Sequence, residues 1–113
     1  MPEKTEDAMI DWGRVAELRE EVGDEAFGEV TEIFLEETED VLRAFEAGRS
    51  ENWEEDFHFL KSSALNMGFA DVAELCQAAE LRARQGEAGA SEAAAVVASF
   101  RASRTLFERG PAA

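Results

Sequence analysis

One histidine, His58, is followed by a lysine at the third position onward, Lys61, a serine at the fourth, Ser62, and a leucine at the seventh, Leu65. On a helix these spacings return to one side, so a ring nitrogen, an ammonium, a hydroxyl and an apolar side chain share a strip. An imidazole has an ordinary pKa of about 6.5 and is mostly neutral near pH 7.5, so such a ring is available as a nucleophile. The set fits a docking surface around a reactive nitrogen. It equally fits a solvated helix face, where lysine and serine are common, and on spacing alone both readings stand.

Other chemistry is poorly supported. A single cysteine, Cys76, cannot form an internal disulfide, and one histidine with one cysteine gives no metal-ligand cluster. Cys76 falls on an apolar stripe with Val72, Leu75 and Ala79 and reads as a buried thiol. No Gly-rich phosphate-cradling loop or P-loop is present, so a nucleotide-using kinase core is not expected.

The elements that must position His58 are helices. The only prolines are Pro2 and Pro111, and no turn-separated runs alternate with a strand's period of two. Capping residues and glycines predict a short helix from about Asp11 to Val22 and a long one from about Asp24 to Ala47. A third follows Ser50 and stops at Gly68, a fourth follows Asp71 and stops at Gly86, and a fifth follows Ser91 and runs to Glu108. The second helix is expected to bury Phe27, Val30, Phe34, Thr38, Val41 and Phe45, the fifth Ala93, Val96, Phe100, Ser103 and Phe107. In the third, Trp53, Phe57, Leu60, Ala64 and Met67 define a buried stripe. At 100° per residue His58 lies roughly 140° from its centre, exposed in mid-helix. The expected fold is all-α, an antiparallel four-helix bundle, with the short first helix, through Ile10, Val15 and Leu18, capping one end.

The 113 residues fit one domain, residues 1–113, with about eight N-terminal and four C-terminal residues expected to be disordered. Apolar residues make up 45% and charged residues 33%, a folded rather than a disordered composition. A net charge of -15, from 26 acidic and 11 basic residues, repels nucleic acid and anionic membranes. The acidic start, Met1 to Asp7, lacks the apolar run of a signal peptide, so a cytoplasmic protein is expected. No extra hydrophobic stripe demands a dimer, and a monomer is expected.

The run His58-Phe59-Leu60-Lys61-Ser62-Ser63-Ala64-Leu65-Asn66-Met67-Gly68, followed by Leu75-Cys76 and Glu80, resembles the signature of histidine-containing phosphotransfer (HPt) domains. That pattern is a histidine, an aliphatic residue two on, lysine three on, a small-residue cluster and glycine ten on. A Leu/Cys pair and an acidic or amide residue follow in the next helix. The resemblance implies a phosphorelay carrier: His58 accepts a phosphoryl group from, and donates it to, an aspartate of response-regulator receiver domains. Lys61 would pair with the phosphoryl oxygens and Glu80 would orient the ring. By helical counting Arg84 shares a side with Glu80 and Gln77 and is expected to face the site in preference to Arg82, with a plain solvated arginine as the other reading. Leu65, Phe59 and Gln77 are expected at the partner surface. The resemblance further implies no kinase activity and no cofactor in this chain, with Mg²⁺ on the receiver and phosphate supplied through a sensor or hybrid histidine kinase. Position 62 departs from the pattern, being serine where glycine is usual. A hydroxyl there either narrows access to His58 or bonds the phosphoryl group. Two further readings stay open, a module that binds or sequesters a receiver without transfer and a helical adaptor in which the histidine is incidental.

Overall fold

The computed structural model describes residues 9–87 and 89–111, so the disorder expected at the extreme ends falls largely on residues outside that range. It contains helices α1 (Trp12–Val22), α2 (Asp24–Glu46), α3 (Trp53–Met67), α4 (Ala70–Arg84) and α5 (Ala90–Arg109), and no strand among the described residues. The all-α expectation therefore holds.

Each start has a local cause. Asp11 caps α1 by accepting the Arg14 N–H at 3.1 Å, and Asn52 caps α3 by accepting the Glu55 N–H at 3.1 Å. Ser50, expected to precede α3 directly, bonds instead to Asp56 at 2.7 Å, and the helix begins at Trp53. The last two helices begin slightly earlier than their polar residues suggested. Asp71 lies inside the first turn of α4, where its charge suits the helix dipole. At α5 the Glu92 carboxylate reaches back to the Gly89 N–H at 2.9 Å, and Ser91 lies within the helix.

The four long helices pack in the cyclic order α2–α3–α4–α5–α2, and α1 lies against α2 and α3. Cross-helix contacts run in opposite directions along three of the four neighbouring pairs, which fixes the direction of the fourth. Glu54 meets Arg84 while His58 meets Glu80. Asp71 meets Ser99 while Arg82 meets Glu92, and Glu39 meets Arg104 while Glu46 meets Arg101. The bundle is antiparallel. One core draws on all five helices, with Phe57, Phe69, Phe100, Leu42 and Leu60 almost fully enclosed.

Along α3 the buried residues are Phe57, Leu60, Ala64 and Met67, as the spacing predicted, with Trp53 half-buried. The stripe expected on α2 is partly corrected. Phe27, Thr38 and Phe45 are buried, but Thr31, Leu35 and Leu42 fill the intervening places while Val30, Phe34 and Val41 are only half-buried. Apolar residues occupy two adjoining stripes on α2, and contact with α1, α3 and α5 together selects between them. On α5, Phe107 is half-buried and stacks on Trp12 at 6.1 Å.

The first helix closes the end of the bundle where α3 turns into α4. The Asp11 N–H donates to the Gly68 carbonyl at 2.7 Å, and Arg14 Nε donates to the Asn66 carbonyl at 2.9 Å. Gly68 has φ +79°, and a Cβ there would stand 2.7 Å from the Asp11 carbonyl oxygen. Only glycine meets both demands.

Candidate functional site

The α3–α4 pair positions the chemistry. His58 projects from the middle of α3 on the side away from the buried stripe, and its side chain is 60% exposed. Across the groove, α4 contributes Glu80, whose side chain is only 8% exposed. Glu80 lies one turn beyond Cys76 and directly after Ala79 on the inward part of α4, so its carboxylate reaches the surface only at the groove.

Three donors converge on that carboxylate. Oε2 lies 2.9 Å from His58 Nδ1 and accepts from Arg84 Nη2 at 3.3 Å, while Oε1 accepts from Lys61 Nζ at 2.7 Å. The Lys61 hydrogen bond is the largest influence holding the Glu80 carboxyl below the usual carboxylate range. Burial opposes it, and the His58 contact and the two nearby charges assist. An ionised carboxylate accepts only, so it takes Nδ1–H and leaves the lone pair of the ring on Nε2, the nitrogen directed outward. A ring held in one tautomer, 60% exposed and with Nε2 unprotonated, is chemically able to act as a nucleophile.

The expected residues are distributed unevenly around this centre. Lys61 is near the ring but spends its ammonium on Glu80. Ser62 is exposed and shares a surface recess with His58, Phe59, Glu80, Asn52, Glu54 and Glu55. Arg84 faces the site, bonding Glu54 Oε2 through Nε at 3.0 Å as well as Glu80, whereas Arg82 turns to Glu92 at 3.2 Å. Gln77 lies on the other flank, in a recess with Lys61, Glu74, Ala78, Leu81 and Arg84. Leu65 and Phe59 are exposed.

Two participants were not foreseen from the sequence. Leu81 is 53% exposed beside Gln77 and Arg84, and Glu54 is the cross-helix partner of Arg84. Helical counting could have flagged Leu81, which stands one turn after Gln77. Nothing in the sequence pairs residues 54 and 84, because that contact depends on how α3 and α4 are aligned. Cys76 is fully buried, and burial pushes its thiol up to about 12, which leaves it protonated and inert. Among the described residues no group of three or more His, Cys, Asp or Glu side chains is placed to hold a metal ion, and no helix is long and apolar enough to cross a membrane.

Comparison with known families gives one result. A family model described as the Hpt domain matches residues 29–106, a span that includes His58, Lys61, Glu80 and Arg84 and most of α2 and α5. No curated protein and no solved structure gives a match.

Proposed function

Because the chain belongs to the Hpt domain family, whose members are phosphocarriers in phosphorelay signalling, we propose that His58 is the phosphoryl acceptor, taking the group from and returning it to the aspartate of a response-regulator receiver domain. The observation that carries this reading is the 2.9 Å contact between His58 Nδ1 and the nearly buried Glu80 carboxylate, on a ring that is otherwise exposed.

In the forward step Nε2 attacks the phosphorus of an aspartyl phosphate. The P–O bond to the aspartate breaks, an N–P bond forms, and the carboxylate leaves with the electron pair. The ring gains positive charge, which Nδ1–H shares with the Glu80 carboxylate. The reverse step restores the acyl phosphate. Phosphoryl transfer through a loose transition state needs in-line positioning and charge stabilisation above all. The receiver supplies Mg²⁺, and on this side Lys61 and Arg84 are cations that share the Glu80 carboxylate with the ring. Ser62, one turn from His58, places a hydroxyl at the rim of the same recess.

Phe59, Leu65 and Leu81 supply apolar contact around the polar centre, with Gln77 among them, a mixture suited to a transient protein partner. The chain acts as a carrier without kinase activity of its own, fed through a sensor or hybrid histidine kinase. It works as a monomer in the cytoplasm, with neither nucleic acid nor membrane as a partner.

The test is transfer of labelled phosphate from phosphorylated receiver domains to the protein and to its His58→Gln variant. Acid-labile label on the wild type alone is expected. Failure of a broad panel of receivers to label the wild type would instead favour the two readings without transfer, a module that binds or sequesters a receiver and a helical adaptor in which the histidine is incidental.

A further inference from the structure

The guanidinium of Arg84 is shared between two carboxylates of unlike character. Its Nη2 reaches Glu80 Oε2 at 3.3 Å, the oxygen that His58 Nδ1 also contacts at 2.9 Å. Its Nε reaches Glu54 Oε2 at 3.0 Å, across the groove on α3. Glu54 is 43% exposed where Glu80 is 8% exposed. Glu54 also lines the recess into which His58 opens, together with Ser62 and Phe59.

From this geometry we propose that Glu54 is a positioning residue: it holds Arg84 away from the outer edge of the ring and thereby sets how stable the phosphorylated form of His58 is. The inference rests on the phosphocarrier reading and extends it. A phosphoryl group on Nε2 carries close to two negative charges and three acceptor oxygens, and a guanidinium matches such a group through paired N–H donors. Lys61 is tied to the buried carboxylate at 2.7 Å and is itself mostly covered. Arg84 is 59% exposed, and its bond to Glu54 is an exposed pair of the weak kind. When the phosphoryl group arrives, the Glu54 bond is the one that yields. Arg84 then turns about its Glu80 contact toward the new anion. Each phosphorylation therefore works against Glu54, and the carrier holds its phosphate less tightly than the same site would without that carboxylate.

The test loads His58 from phosphoramidate, so that labelling and the lifetime measurement need no receiver, and a receiver is added only for the equilibrium. Nε2 attacks its phosphorus, the P–N bond to ammonia breaks, and ammonia leaves as the new N–P bond forms. The lifetime of the phosphohistidine and the position of its equilibrium with a receiver are then measured in the wild type, Glu54→Gln, Arg84→Ala and the double variant, all checked for unchanged helical content. Glu54→Gln is expected to lengthen the lifetime and shift the equilibrium toward phosphohistidine by about threefold or more, and to do so only when Arg84 is present. An equal effect in the Arg84→Ala background would overturn the proposal, since Glu54 would then act through its charge alone. No effect in either background would overturn it too. A wild type that takes no label at His58 under phosphoramidate or from any receiver would remove the phosphocarrier reading itself, a result distinguishable from both.

Discussion

At the scale of single residues, Glu80 links the proposed nucleophile, His58, to the fold. Its carboxylate, held ionised chiefly by Lys61, gives the ring one tautomer. Replacing Glu80 with Gln keeps the shape but weakens a charge-assisted bond to a neutral one, a loss of about 1 kcal/mol. Phosphoramidate labelling of Glu80→Gln should accordingly slow by roughly fivefold to tenfold. A rate equal to wild type would mean that the ring needs no orientation. Folding lowers the Glu80 pKa, so its pairing stabilises the fold fully above the unfolded carboxyl's value, and that contribution is lost as the pH falls through the lower folded value. Much of this centre was legible in advance. The angle between His58 and the stripe of Trp53, Phe57 and Leu60 places the ring outside, and helical counting puts Arg84 beside Glu80. The hold of Glu80 on Lys61, and of Glu54 on Arg84, was not legible, because each bond joins two helices whose relative alignment no local spacing encodes.

At the scale of elements, two glycines have opposite consequences. Gly68 ends α3 at positive φ against the Asp11 carbonyl, so Gly68→Ala meets both backbone strain and a clash with main chain that has little freedom to move. A destabilisation of about 2 kcal/mol or more is expected from the conformational penalty and the overlap together. It would appear in urea as a lower midpoint with an unchanged slope. Gly28 lies inside α2 with nothing within 4 Å of where a Cβ would be, and Gly28→Ala should stabilise by up to about 1 kcal/mol through helix propensity. Equal effects of the two substitutions would contradict the account of the α1–α3 joint. Helix existence was well encoded by glycines and caps. The buried side of α2 was less so, because Phe34 and Val41 are as apolar as Leu35 and Leu42, and only contact with three neighbouring helices decides among them.

At the scale of the whole molecule, a net charge of -15 sets the response to solvent. Several ion pairs among the described residues are exposed, such as Arg43–Asp40 and Arg101–Glu46, and add little stability, so the excess of acidic groups acts mainly as self-repulsion. Raising sodium chloride from about 0.05 M to about 0.5 M shortens the screening length several-fold and should raise the Tm by a few degrees. A falling Tm would show that the pairs outweigh the repulsion. The joint between α3 and α4 has a consequence of another kind. These helices are separated only by Gly68 and Phe69, so the contacts of the site span short stretches of chain: 19 residues for Lys61–Glu80, 22 for His58–Glu80 and 30 for Glu54–Arg84. Loops of that size close fast and lose little entropy. The proposed site can assemble as a local hairpin, before α1 and α5 dock. Fraying at the outer helices then leaves that centre in place, and the slowest amide exchange should be found along the inward faces of α3 and α4.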